Sequence, residues 1–309
     1  MDGALIVNKP AGMTSHDVVA VIRKLVGTRR VGHTGTLDPF ATGVLVVLVG
    51  RATRLMQFLS ASEKEYEAVI RLGYATDTGD ITGRPLPAQQ DAPAPKRLAK
   101  EEIESAIASL RGEIEQVPPM YSAKKIQGRK LYEFARRGEH IERQAARVKI
   151  TVFEVVEKDG VFMKLNADAT LDLTVRVACS AGTYVRTLAE DLGKRLGVGA
   201  HLAELRRTRA GHFEMEQATT LSRLTDLAGA HSLNEAAIRP DEILAHLPAL
   251  NLSDDQVRRI SNGIDVQCES KFENQEHVRL RDGSDRLVAV GVYDEGKRTI
   301  HPKVVLANG

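Results

Sequence analysis

No run of about 18 apolar residues occurs anywhere in the 309-residue sequence, so it offers no membrane-spanning helix. Nor does Met1-Asp2-Gly3-Ala4 open a charged-then-apolar leader, and the expected location is the cytoplasm. Cysteine is scarce: Cys179 and Cys268 lie far apart, without Cys or His companions at zinc-ligand spacing. That spacing supports neither a disulfide framework nor a metal site, and leaves core or edge cysteines as the expectation. Net charge of one sign is also nearly missing, at +2.

What is present is the composition of an ordinary soluble globular protein, 42% hydrophobic and 27% charged, long enough for one large domain and one small. The near-neutral total hides an uneven distribution. Between Tyr121 and Ile150 lie Lys124, Lys125, Arg129, Lys130, Arg136, Arg137, Arg143, Arg147 and Lys149 against Glu133, Glu139 and Glu142. Such a basic run supplies sequence-independent attraction to nucleic acid, although an isolated one is more commonly a solvated face. Arg206, Arg207 and Arg209 add a second basic group and tilt the reading toward a polyanionic partner.

Hydrophobic periodicity outlines the elements. Leu5 to Val7 reads as a short strand, and Thr14-Ser15-His16-Asp17 as a capping signal before a helix carrying Val18, Ile22 and Leu25 up to Gly27. Val44 to Val49 is continuously apolar, as in a strand buried on both faces. Tyr66, Ala68, Ile70 and Leu72 alternate with less apolar neighbours, predicting a half-buried strand that begins near Tyr66. Prolines from Pro85 to Pro95 predict a loop, and helices follow around Ile103 to Leu110 and Leu188 to Leu196. Leu171 to Cys179 is a further strand. Elements mix without a strict βαβ rhythm, so the fold class is α/β (α+β) with a mixed sheet. After about Leu247 the chain reads as short strands, a small β-rich terminal domain.

One loop stands out: Gly32-His33-Thr34-Gly35-Thr36-Leu37-Asp38-Pro39 runs straight into the apolar 44–49 segment. It lacks the Lys-Ser/Thr ending of a Walker loop, and no predicted strand precedes it to suggest a dinucleotide fold. Alone it reads as a turn; a carboxylate fixed at a strand edge is also a candidate for chemistry.

Four other polar, glycine-marked blocks accompany it. They are Lys9-Pro10 with Gly12-Met13-Thr14-Ser15; Lys64-Glu65-Tyr66 with Thr76-Asp77-Thr78-Gly79-Asp80; Pro118 to Lys125; and Cys179-Ser180-Ala181-Gly182-Thr183-Tyr184-Val185-Arg186 with Leu205 to Arg209. In this combination and order the chain resembles the TruB family of tRNA pseudouridine-55 synthases. The resemblance covers roughly residues 1–212 and departs from the commonest pattern at Asn8 and Arg54, neither of them in the expected chemistry.

The resemblance implies a pseudouridine synthase fold, with a central mixed, largely antiparallel sheet over residues 1–246 and a basic RNA-gripping insertion at about 121–150. It implies a PUA-like RNA-binding domain over 247–309, which strand patterning alone leaves open to another small β-module. It implies isomerisation of the uridine at position 55 of tRNA, bound through its T-stem-loop by a monomer, with no metal and no redox cofactor.

By the same resemblance Asp38 is the carboxylate that attacks or stabilises an electron-poor sugar or ring carbon, and Arg186 is its partner. Arg186 could instead pair with Glu190, one helical turn on. Tyr66 faces the extruded base and takes part in proton transfer, or is a half-buried strand tyrosine. Tyr184 is a second wall, and Leu205 an apolar neighbour of the base unless it is core in a helical stretch. His33 wedges against the RNA or is satisfied within its own loop; Asp80 touches substrate or caps its turn. Lys124, Lys125, Arg129 and Lys130 grip phosphates, and Lys9-Pro10 forms a rigid loop under the site. Two other readings fit parts of the pattern: an RNA-folding protein on this scaffold without catalysis, and a nucleoside hydrolase, which needs a second acid/base carboxylate.

Overall fold

The computed structural model describes residues 1–86, 98–122, 124–126, 128–135, 137–139, 141–269 and 272–306, with Lys125 and Lys130 described by their backbone only. Most of the proline-rich loop expected after Pro85 lies outside the described residues.

Strands β1 (Gly3–Lys9), β2 (Val31–His33), β3 (Thr42–Val49), β4 (Lys64–Leu72) and β5 (Gly112–Gln116) come first. A small hairpin, β6 (Lys125–Ile126) and β7 (Arg129–Lys130), stands apart from the main sheet. Then follow β8 (Ala146–Val155), β9 (Lys164–Leu165), β10 (Leu171–Cys179), β11 (Ala200–Ala210), β12 (Phe213–Glu214) and β13 (Thr219–Thr220). The helices are α1 (Ser15–Val26), α2 (Lys100–Ala108), α3 (Leu131–Ala135), α4 (Val185–Leu196), α5 (Leu221–Gly229), α6 (Pro240–Ile243) and α7 (Asp254–Ser261).

The main sheet has eleven strands along the path β13-β1-β3-β11-β4-β10-β8-β5, with β2, β9 and β12 attached at its side. Pairing is antiparallel except where β1 meets β13 and β3 meets β11. The sheet is therefore mixed and largely antiparallel, as expected. A separate five-stranded sheet is built from β14 (Ala249–Asn251), β15 (Val266–Gln267), β16 (His277–Arg281), β17 (Leu287–Asp294) and β18 (Thr299–Val305).

Core packing explains the patterns. Leu45, Val47 and Val49 of β3 join one core with Val18 and Ile22 of α1 and Leu224 of α5. Val44, Val46 and Leu48 join another with Val290 of β17 and Val304 of β18, because the terminal module covers the opposite face. A strand covered on both faces must be apolar throughout. In β4 one face is packed and the other only partly covered, hence its alternation of buried and half-buried residues. Arg51 ties the two sheets together: its Nη1 donates to the Leu306 carbonyl at 2.8 Å while its Nη2 pairs with Asp2 at 2.7 Å.

Three expectations need correction. A three-residue strand, β2, does precede the Gly32–Pro39 loop. Leu205 lies in a strand, β11, and not in a helical stretch. Register shifts at Leu202/Glu204 and Arg207/Arg209 break the alternation of β11, and its arginines mask its burial. The terminal module also contains a helix, α7, capped by Ser253, where only strands were predicted.

At the parallel β3–β11 contact Gly43 adopts φ +98°, and a Cβ there would lie 2.2 Å from the Arg207 carbonyl oxygen. Both the backbone conformation and the close approach require glycine. Gly43→Ala is expected to cost about 3 kcal/mol through strain and overpacking. In thermal unfolding the expected outcome is a midpoint lowered by roughly 5 °C or more.

Candidate active site

The loop bearing Asp38 is pinned from below. Lys9, with no exposed surface, donates from Nζ to the carbonyls of Met13 at 2.6 Å, Pro10 at 2.8 Å and Pro39 at 3.2 Å. Buried Ser15, in the first turn of α1, accepts from Leu37 N at 2.8 Å. Gly12 N donates to the Pro39 carbonyl at 2.9 Å, and Arg207 Nη2 to the Gly35 carbonyl at 3.0 Å. Residues on both sides of Asp38 are thereby fixed before any ligand arrives, which is how a reactive carboxylate keeps its aim. Burial holds the Lys9 ammonium at about 8, with the nearby Asp38 charge working the other way.

Arg186 enters from the first turn of α4 and is 3% exposed. Its Nη2 donates to Asp38 Oδ1 at 3.1 Å and its Nε lies 2.9 Å from Oδ2. It also donates to the carbonyls of Tyr121 at 2.7 Å and Thr78 at 2.9 Å. Glu190, the alternative partner, has Lys194 at 4.0 Å instead. Asp80 caps its turn, one of the two roles considered for it, and faces Arg186 as well. Its Oδ1 accepts from the Thr82 backbone at 3.0 Å and from Thr78 Oγ1 at 2.9 Å, capping the turn. Its Oδ2 stands 3.6 Å from Arg186 Nη1. Two carboxylates thus share one buried guanidinium.

Asp38 opens onto a cavity of about 330 Å³ whose walls include Tyr66, Tyr184, Leu205, Lys124 and Arg207. Tyr66 and Leu205 are 8% and 7% exposed, so their faces toward the cavity are nearly all they show. The Tyr184 backbone is clamped by buried Gln116, which accepts from its N–H at 2.7 Å and donates to its carbonyl at 3.1 Å. The sequence reading missed Gln116 because β5 carries no apolar run. Burial pushes the Tyr66 phenol above its ordinary value, with Arg207 opposing.

Other expected residues are dispersed. His33 ends β2 and does not line the cavity; its ring packs edge-on against His16 at 5.4 Å. Arg129 lies 4.5 Å from the centre of the Phe134 ring and 4.0 Å from Glu133, so aromatic stacking and an ion pair already occupy it. Lys125 pairs with Lys130 across the β6–β7 hairpin, and their side chains lie outside the description. Arg136 does too. The basic group at 206–209 also needs correction. Arg207 is buried, and Arg209 is bound to Glu63 at 2.8 Å, because β11 is an interior strand; of the three, Arg206 is exposed.

Burial raises the Asp38 pKa above the ordinary carboxylate value, with Arg186 opposing and Asp80 assisting. A carboxylate whose pKa is raised by folding binds protons more tightly folded than unfolded, so its contribution declines as pH rises through the folded value. Asp38→Asn is therefore expected to raise the unfolding temperature at pH 7. The gain should shrink toward pH 4. Thermal melts of both proteins across that range check it.

The model of the TruB family pseudouridylate synthase N-terminal domain matches residues 23–185, and that of the tRNA pseudouridylate synthase B C-terminal domain matches 186–245. Among curated relatives, tRNA pseudouridine synthase B of Solibacter usitatus (strain Ellin6076) is 39% identical over 309 residues, covering 99% of this chain and 100% of its own. The enzyme of the same name from Thermobifida fusca (strain YX) is 47% identical over 268 residues, covering 85% of each. A solved H/ACA RNP bound to a substrate RNA containing 2′-deoxyuridine superposes with a TM-score of 0.73 and 26% identity, over 99% of this chain and 85% of that one. A Cbf5-Nop10-Gar1 complex gives 0.71 and 28%, over 99% and 84%. With these matches laid over the pinned Asp38 and its guanidinium, the chain belongs to the TruB family of pseudouridylate synthases.

Proposed function

We propose that the protein isomerises uridine to pseudouridine in tRNA, at position 55 of the TΨC loop. The observation that carries this reading is the Asp38–Arg186 pair, held on a pinned loop and opening onto a cavity walled by Tyr66. The relatives' shared name, tRNA pseudouridine synthase B, supports it.

The reaction breaks the ribose C1′–N1 bond, turns the base and joins C1′ to C5. Nothing is oxidised or reduced overall, and the chemistry calls for no metal or redox cofactor. It calls for an everted nucleotide, a carboxylate at the electron-poor carbon and a water-poor pocket. Asp38 is the nucleophile, and Arg186 opposes the cost of burying its charge. Tyr66 stacks on the base and takes part in proton transfer, with Tyr184 and Leu205 completing the walls and Asp80 orienting Arg186. His33, at the end of β2, wedges into the space the base vacates.

Lys124, on the cavity wall, and Lys125 and Lys130 in the hairpin meet phosphates. Residues 1–246 form the catalytic domain and 247–309 a PUA-like RNA-binding domain. The enzyme acts as a monomer in the cytoplasm. Among the described residues no helix is long and apolar enough to cross a membrane.

A hydrolase is disfavoured by the commitment of Asp80. Its carboxylate accepts from Thr78 and Thr82 and faces Arg186, so it presents no acid to a leaving group. A tRNA transcript incubated with the protein and digested to nucleosides should yield pseudouridine in place of uridine at position 55 and no free uracil; free uracil would establish hydrolysis. A transcript with cytidine at that position should give no pseudouridine. Arg186→Met removes the cation that opposes the raised Asp38 pKa. The acid limb of its single-turnover rate should move to higher pH, and the rate at pH 7 should fall about 10²-fold or more.

A further inference from the structure

Two cations at the floor of the cavity have no place in the mechanism above. Lys64 and Arg207 line it with Tyr66, on the neighbouring strands β4 and β11, where Arg207 and Tyr66 are register partners. They are 7% and 2% exposed. A Cβ on Gly35 would lie 3.6 Å from Arg207 Nη1 and 3.8 Å from Lys64 Cε, so both side chains approach one point beside the Asp38 loop.

Both are held by neutral oxygens. Lys64 Nζ donates to the carbonyls of Ser60 at 2.9 Å and Ser62 at 2.5 Å, and Arg207 Nε donates to the Val44 carbonyl at 2.7 Å. Among the described residues neither makes an ion pair with a carboxylate. Burying two cations side by side without a counter-ion is costly, and burial together with Arg207 brings the Lys64 ammonium down to about 8. An arrangement that destabilises the empty site is rewarded only when negative charge arrives.

The depth of the pair selects the anion. A phosphodiester is tethered on both sides and needs an open groove, whereas an everted base reaches the floor beside Tyr66. The base becomes anionic during the reaction: when C1′–N1 breaks, the bonding pair stays on the ring, shared among N1, O2 and O4, and the sugar carbon is left to Asp38. As C5 bonds to C1′ through that pair, the Asp38–C1′ bond breaks and its electrons return to the carboxylate; C5 then loses its proton and N1 gains one. We propose that Lys64 and Arg207 form a cationic cradle for the detached uracil anion and act as catalytic groups that lower the barrier to glycosidic cleavage. This rests on the pseudouridine-forming reading of the site and adds groups that stabilise the leaving base.

The test uses T-stem-loop RNA carrying either uridine or 5-fluorouridine at the target position, under single-turnover conditions. The electron-withdrawing fluorine stabilises the detached base by itself, so that substrate has less need of the cradle. With uridine, Lys64→Met should lower the maximal rate about 10²-fold, leaving the half-saturating concentration within about twofold. With 5-fluorouridine, read as the C5-linked product, the same variant should lose no more than about tenfold. Lys64→Arg, which keeps the charge, should recover most of the rate. If Lys64→Met lowers the melting temperature, Lys64→Gln, which can still donate to the two serine carbonyls, takes its place. Equal losses on the two substrates, or a loss confined to RNA affinity, would overturn the cradle. Inactivity of the wild-type protein on both RNAs would instead strike the underlying reading of the site.

Discussion

The proposed chemistry depends on keeping one carboxylate ionised where burial disfavours its charge. Desolvation works against Asp38 and the Arg186 guanidinium works for it, so position and charge state are coupled through a single ion pair. Arg186 is itself buried and could not be left alone. The carbonyls of Tyr121 and Thr78 and the carboxylate of Asp80 complete its surroundings, drawing the Thr76–Asp80 turn and the start of the basic 121–150 stretch into the same site.

The pinning of the Asp38 loop has the same logic at the level of backbone. Lys9 spends a fully buried ammonium on three carbonyls, an expensive device where a neutral donor would do for structure alone. Its charge also faces Asp38. Beneath the loop, β3 is sealed between α1 and α5 on one side and the terminal module on the other, so the loop's C-terminal anchor has no freedom to shift. Rigid support below and an open cavity above suit the proposed reading, in which the site receives a base turned out of its RNA.

Much of this was legible in the sequence, for definable reasons. The run Val44–Val49 reported a strand covered on both sides, and Tyr66 to Leu72 one packed mainly on one face, because burial of each face writes directly onto residue type. Thr14 and Gly27 marked the ends of α1 through capping chemistry that is local. Asp38, Tyr66 and Arg186 came from motif resemblance, and only coordinates bring together residues separated by 148 positions.

What stayed hidden was set by tertiary context. Arg207 looked like part of a surface patch because composition cannot tell a buried arginine from a solvated one; its place on the interior strand β11 decides the matter. The bulges of β11 erased its alternation, and Gln116 acts through a clamp with no one-dimensional signature. The central claim, that Asp38 does the chemistry and is not needed for binding, is tested most directly with a tRNA transcript tritiated at uridine C5. Wild-type protein should release the label, and Asp38→Asn should bind the transcript comparably and release none. Label released by the variant at the wild-type rate would contradict the account.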